Sequence, residues 1–162
     1  MKHVTNQGST IFLKTVVLLI AIGVVAALIW FPQLEGRAKD LDLLSIYADP
    51  FIIYGYVASL SFFGALYQAF KLLGYIEKNK AFTQNSVNAL RNIKNFAIAL
   101  SVFVVGAEAF IIFNHGNDDA AGAVMMGFVV IFASFVIATA AAVFQKLLQN
   151  AVDIKSENDL TV

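Results

Sequence analysis

No cysteine occurs among the 162 residues, which excludes disulfide frameworks, thiolate nucleophiles, zinc ribbons and iron–sulfur clusters together. Charge is scarce as well, at 14% of residues against about 25% in ordinary soluble domains. Eleven Lys and Arg balance eleven Asp and Glu, and that zero sum leaves no global basic field to hold nucleic acid directly. The GxSxG, HExxH, GxGxxG and phosphate-loop signatures are missing, and the apolar runs contain no His, Asp or Lys, so no catalytic activity and no cofactor are expected.

What the chain has in excess is apolar surface. Hydrophobic residues make up 59% of it, with a mean hydropathy of +0.76, against roughly 45–50% in soluble domains. Uncharged runs extend from Thr15 to Phe31, Pro50 to Phe70, Asn95 to Phe113 with Glu108 as one interruption, and Ala120 to Gln145. At about 1.5 Å per residue they reach roughly 25, 31, 28 and 39 Å, against a hydrocarbon core of about 30 Å. Continuous apolarity rich in Ala, Leu and Phe favours helices over barrel strands, which alternate. The expected fold is therefore all-α: a single integral membrane domain over residues 1–162, with spans at 12–31, 50–74, 92–113 and 120–145. Short connections imply an antiparallel four-helix bundle, its second and third helices extended into the cytoplasm.

The distribution of charge sets an orientation. Nine of the eleven cations lie in the N-terminal tail, between spans two and three, or in the C-terminal tail, leaving Arg37 and Lys39 on the other side. The positive-inside rule then places both termini and the middle segment in the cytoplasm. Glu35, Asp40, Asp42, Asp49, Asp118 and Asp119 collect outside, where Trp30, Phe31 and Tyr47 fit an interfacial aromatic belt. Lys14 is expected to snorkel to the headgroups. Residues 1–38 also invite reading as a cleaved signal peptide. Their 17-residue apolar run is long for that, and Gly36-Arg37-Ala38 is a poor cleavage site.

Local signals refine the span ends. Asp49-Pro50 reads as an N-cap followed by proline at the first helical position. Leu72, Leu73 and Ile76 continue the second helix past Phe70, and a tight connector falls near Asn79 to Phe82. Thr83 or Ser86 can cap the next helix, which Val87, Leu90, Ile93 and Phe96 carry into the third span. Small residues four apart (Gly23/Ala27, Gly55/Ser59, Ser61/Ala65, Ala97/Ser101, Ala123/Gly127, Ser134/Ala138 and Ala138/Ala142) permit close helix contact and read as bundle interior.

Glu108 is the candidate intramembrane polar site, because an acid inside a span is costly and faces protein or water. Tyr54 and Tyr56 lie at similar depth and are the expected hydrogen-bond partners. A functional version makes this acid a proton or cation site; a structural version has it satisfied by a tyrosine or reaching the interface. His115, Asp118 and Asp119 offer metal-ligand chemistry, yet Asn-His-Gly-Asn-Asp-Asp is turn composition, and no metal is expected. Tyr56 and Tyr67 share a helical face, which suits an aromatic-lined cavity or, more simply, packing. The segment from Lys71 to Lys94 sets five cations against Glu77 alone beside an apolar stripe. Such a surface can hold anionic headgroups, dock a cytosolic protein, or merely fix topology.

That segment also carries a resemblance. Residues 82–93, Phe-Thr-Gln-Asn-Ser-Val-Asn-Ala-Leu-Arg-Asn-Ile, resemble the hallmark loop of the bacterial domain of unknown function 2975 family, four-span membrane proteins of similar length. Phe82, Thr83, Val87, Leu90, Arg91 and Ile93 match; Thr83 replaces the usual Ser, Ser86 stands where Asn is common, and Lys94 where Gly is frequent. The resemblance implies no enzymatic activity, and implies a membrane partner for a cytoplasmic protein, since members are often encoded beside a small helix-turn-helix transcription regulator.

Two functional expectations result. The first is a non-catalytic bacterial inner-membrane protein that regulates or scaffolds a cytoplasmic partner through its cytoplasmic face, Lys71, Lys78, Lys80, Phe82, Thr83, Leu90, Arg91 and Lys94 together with the tails. The second is a small transporter or ion-conducting homo-oligomer that uses Glu108.

Overall fold

Lipid offers backbone groups no hydrogen-bond partner, so a chain this apolar must satisfy them within each segment, which helices do. The computed structural model describes residues 2–34, 42–114 and 121–160. They form α1 (Lys2–Leu34), a short α2 (Leu43–Tyr47), α3 (Pro50–Glu77), α4 (Gln84–Asn114) and α5 (Ala121–Leu160). Four of these are long and apolar enough to cross a membrane. Glu35, Arg37, Lys39, Asp40, His115, Asp118 and Asp119, together with the Gly36–Ala38 cleavage site, lie outside the described residues.

The α3 start follows from Asp49-Pro50. The Asp49 carboxylate accepts from the Phe51 and Ile52 amides at 2.8 and 3.4 Å, and Pro50 occupies the first helical position, where its missing N–H costs nothing. Its far end closes with Asn79 in the left-handed region, φ 55°, a conformation asparagine tolerates better than branched residues. The amides of Asn79 and Lys80 return to the carbonyls of Ile76 and Tyr75 at 3.0 and 2.8 Å, a Schellman closure.

Close contacts join α1 to α3, α3 to α4 and α4 to α5 in antiparallel succession. Between α3 and α4 the register pairs Phe51 with Phe110, Tyr54 with Phe103 and Gly64 with Phe96. A Cβ on Gly64 would fall 2.8 Å from the Phe96 ring, so glycine is what lets that ring lie against the backbone. Between α4 and α5, Gln84 meets Gln149 at one end and Glu108 meets Gly127 near the other. Ser61, Ala97, Ser134 and Ala138 are buried as the small-residue pattern predicts, whereas a Cβ on Gly23 or Gly55 would meet no atom of a neighbouring helix within 4 Å among the described residues.

α1 is the loosest of the spanning helices, since it packs mainly on α3, and polar contacts help to hold it there. Pro32 lies inside α1 and has no N–H to give the Leu28 carbonyl one turn back. The Tyr56 hydroxyl on α3 supplies that hydrogen bond at 3.0 Å. Beside it the Tyr47 hydroxyl donates to the Ile29 carbonyl at 2.8 Å and accepts from Gln33. At the opposite end Lys14 reaches along α3. Its ammonium pairs with Glu77 and lies 5.4 Å from the Phe70 ring centre, because α3 brings both within reach.

Candidate functional site

The end of the molecule formed by the α3–α4 turn is built around one carbonyl. Lys80 C=O accepts from the Thr83 hydroxyl at 2.9 Å and from the Ser86 hydroxyl at 3.2 Å, which folds residues 80–86 back on themselves. Thr83 therefore precedes α4 as expected of a cap, but its hydroxyl serves Lys80 and not the first helical amides. Ser86 and Val87 are wholly buried and Ala89 nearly so. The hallmark segment thus has a structural half that seats the start of α4. It has an exposed half as well, led by Phe82, 60% of whose surface is accessible.

Phe82 separates two hollows. One is an apolar groove of about 370 Å³, walled by Leu72 and Ile76 of α3, Ala81 and Phe82 of the turn, Leu90 of α4, and Phe144, Leu147 and Leu148 of α5. The other is a polar hollow of about 730 Å³, bounded by Asn79, Lys80, Phe82, Thr83, Asn85, Ala151 and Lys155. Lys80 and Lys155 are its charged residues, and neither forms an ion pair among the described residues.

Of the residues singled out from sequence, Lys80, Phe82, Thr83 and Leu90 are brought together here. Lys71 is spent elsewhere, its ammonium 5.5 Å from the Tyr67 ring centre. Lys78 caps α3 at the surface. Arg91 and Lys94 sit within α4, not in a loop, and line neither hollow, because α4 begins at Gln84. The α5 wall was missed. Its signal was present: Phe144, Leu148, Ala151 and Lys155 recur at 4, 3 and 4 residues, a helical stripe continuing past Gln145.

The intramembrane cluster differs from expectation. Glu108 is 8% accessible, but neither Tyr54 nor Tyr56 meets it. The Tyr54 hydroxyl donates to the Phe103 carbonyl at 2.8 Å, in the space that Gly106 leaves open, and Tyr56 points away to α1. The Glu108 carboxylate crosses to α5 and occupies the position where Gly127 would carry a Cβ. Its Oε2 is buried without a hydrogen-bond partner. Both phenols were already claimed by backbone carbonyls, which sequence depth alone could not reveal.

Apolar helices in antiparallel succession, joined through small residues and a few backbone-directed tyrosines, define a multi-pass membrane protein. Residues 33–162 match the family described as a protein of unknown function, DUF2975, and the chain belongs to that family. It is 48% identical over 159 residues to the uncharacterized membrane protein YoaS of Bacillus subtilis (strain 168), covering 97% of this chain and 99% of the relative. No solved structure matches it.

Proposed function

We propose that this protein is a membrane-embedded docking platform, without catalytic activity, whose α3–α4 end faces the cytoplasm and holds a cytoplasmic regulator protein. The observation that carries the reading is the apolar groove running into a cationic hollow at Phe82. The nine-to-two distribution of Lys and Arg supports the orientation. Depth supports the accessibility. With the first residue of α5 at the outer hydrocarbon edge, Leu148 lies about 40 Å along the helix and Lys155 about 51 Å. The hydrocarbon takes about 30 Å of that, and one headgroup layer roughly 6 Å more. Helix tilt of about 20° shortens these reaches by only a few ångströms.

The transporter reading has one supporting feature, the Glu108 oxygen without a partner. It is the weaker reading, because among the described residues no charged side chain pairs with that carboxylate. A photo-reactive amino acid placed at position 82 in cells tests the docking reading. It should yield a discrete adduct with a cytoplasmic protein, which the same probe at Phe132, exposed on the apolar face of α5, does not. Identical adduct patterns from both positions, or none from position 82, would defeat it.

A further inference from the structure

Resting on that reading, we infer that the segment this face receives is an amphipathic helix of the partner, apolar along one side and acidic at one end. The apolar groove is lined almost wholly by carbon, so it rewards a stripe of Leu-like or Phe-like side chains at helical spacing. The adjoining hollow presents Lys80 and Lys155 with Asn79, Asn85 and Thr83, a set of donors and cations with no acid among the described residues of its wall. Asp153 and Glu157, on neighbouring turns of α5, do not line it. Complementarity therefore demands carboxylates next to the apolar stripe, and the shared wall at Phe82 fixes their order: apolar residues on one side of its ring, acids on the other.

A lipid supplies the same two chemistries, an acyl chain and an anionic headgroup, but not at this height. Glu77, the last residue of α3, lies about 40 Å along that helix, after which the chain turns back through Lys80, and Lys155 lies about 51 Å along α5. A headgroup phosphate sits near 30–36 Å on that scale. Lys155 stands more than about 10 Å beyond it, in water, where a protein segment reaches and a bilayer lipid does not.

The test uses the full chain in detergent micelles and in phosphatidylglycerol-containing nanodiscs. The probes are two fluorescent helical peptides with the same Leu/Phe stripe, one ending in a Glu cluster and the other in a Lys cluster. The acidic peptide should bind in both media, about ten-fold tighter than the basic one at 0.1 M salt, with the preference fading at 1 M salt. K80E/K155E should reverse the preference, and that reversal shows the variant is folded and the groove intact. Phe82→Ala should weaken both peptides alike. Equal binding of the two peptides, or loss of the acidic peptide with no gain of the basic one, overturns the inference. Displacement of the acidic peptide by phosphatidylglycerol would give the site to lipid and overturns it too. The photo-adduct at position 82 separates the levels: an adduct without the charge preference leaves the docking reading standing and removes only the acidic helix.

Discussion

Replacing Tyr56 with phenylalanine removes one oxygen and leaves the Leu28 carbonyl without a donor, because Pro32 cannot close the helical bond that Tyr56 replaces. An unsatisfied buried carbonyl costs about 1–3 kcal/mol in proteins generally. Side-chain hydrogen bonds measured within membranes average about 0.6 kcal/mol and reach about 1.7. Between these two ranges, about 1–1.5 kcal/mol is expected for Tyr56→Phe. The informative comparison is Pro32→Ala, which restores the amide that Leu28 lacks. In that background Tyr56→Phe should cost a few tenths of a kcal/mol, so a double-mutant cycle should return a coupling of about 1 kcal/mol. Reversible unfolding in mixed detergent–SDS micelles, followed by far-ultraviolet circular dichroism, gives all four free energies. Equal costs of Tyr56→Phe in the two backgrounds would refute the pairing of proline and tyrosine.

The same logic extends to the other contacts. Gly127→Ala drives a methyl group into the Glu108 carboxylate, so it should destabilise the α4–α5 contact by about 1–3 kcal/mol in the same unfolding assay. Glu108→Ala should relieve most of that cost, and an undiminished penalty in the double variant would contradict the contact. Lys14→Met or Glu77→Gln should raise amide hydrogen exchange in α1 while leaving the α4–α5 pair protected, since α1 packs mainly on α3. The ion pair is partly accessible, so each change should be worth no more than about 1 kcal/mol.

The architecture was legible because bilayer thickness and helix rise leave little freedom: four apolar runs of the right length become four spanning helices. The cap at Asp49-Pro50 was legible for a similar reason, being local chemistry within four residues. What could not be read was pairing across helices. Tyr54, Tyr56 and Glu108 share a depth, yet helix rotation aims them at three different neighbours: Phe103, Leu28 and Gly127. Gly127 and Gly106 look alike as small residues, and only the register shows that one seats a carboxylate and the other a phenol. At the α3–α4 end, the cations singled out from sequence divide, and only Lys80 lines the polar hollow. Arg91 and Lys94 belong to the helix that the turn launches, while Lys155, seventy-five positions after Lys80, completes the hollow.

Labelling of a single cysteine tests the docking claim most directly, and the cysteine-free chain is suited to it. Phe82→Cys and the control Asn88→Cys, exposed on α4 but lining neither hollow, are each reacted with a membrane-impermeant maleimide. Neither should react in intact cells, and both should react in washed inverted membrane vesicles. Adding back cytosol should slow labelling at position 82 and leave position 88 unchanged. Reaction from the outside of intact cells, or equal labelling at position 82 with and without cytosol, would contradict a cytoplasmic docking face.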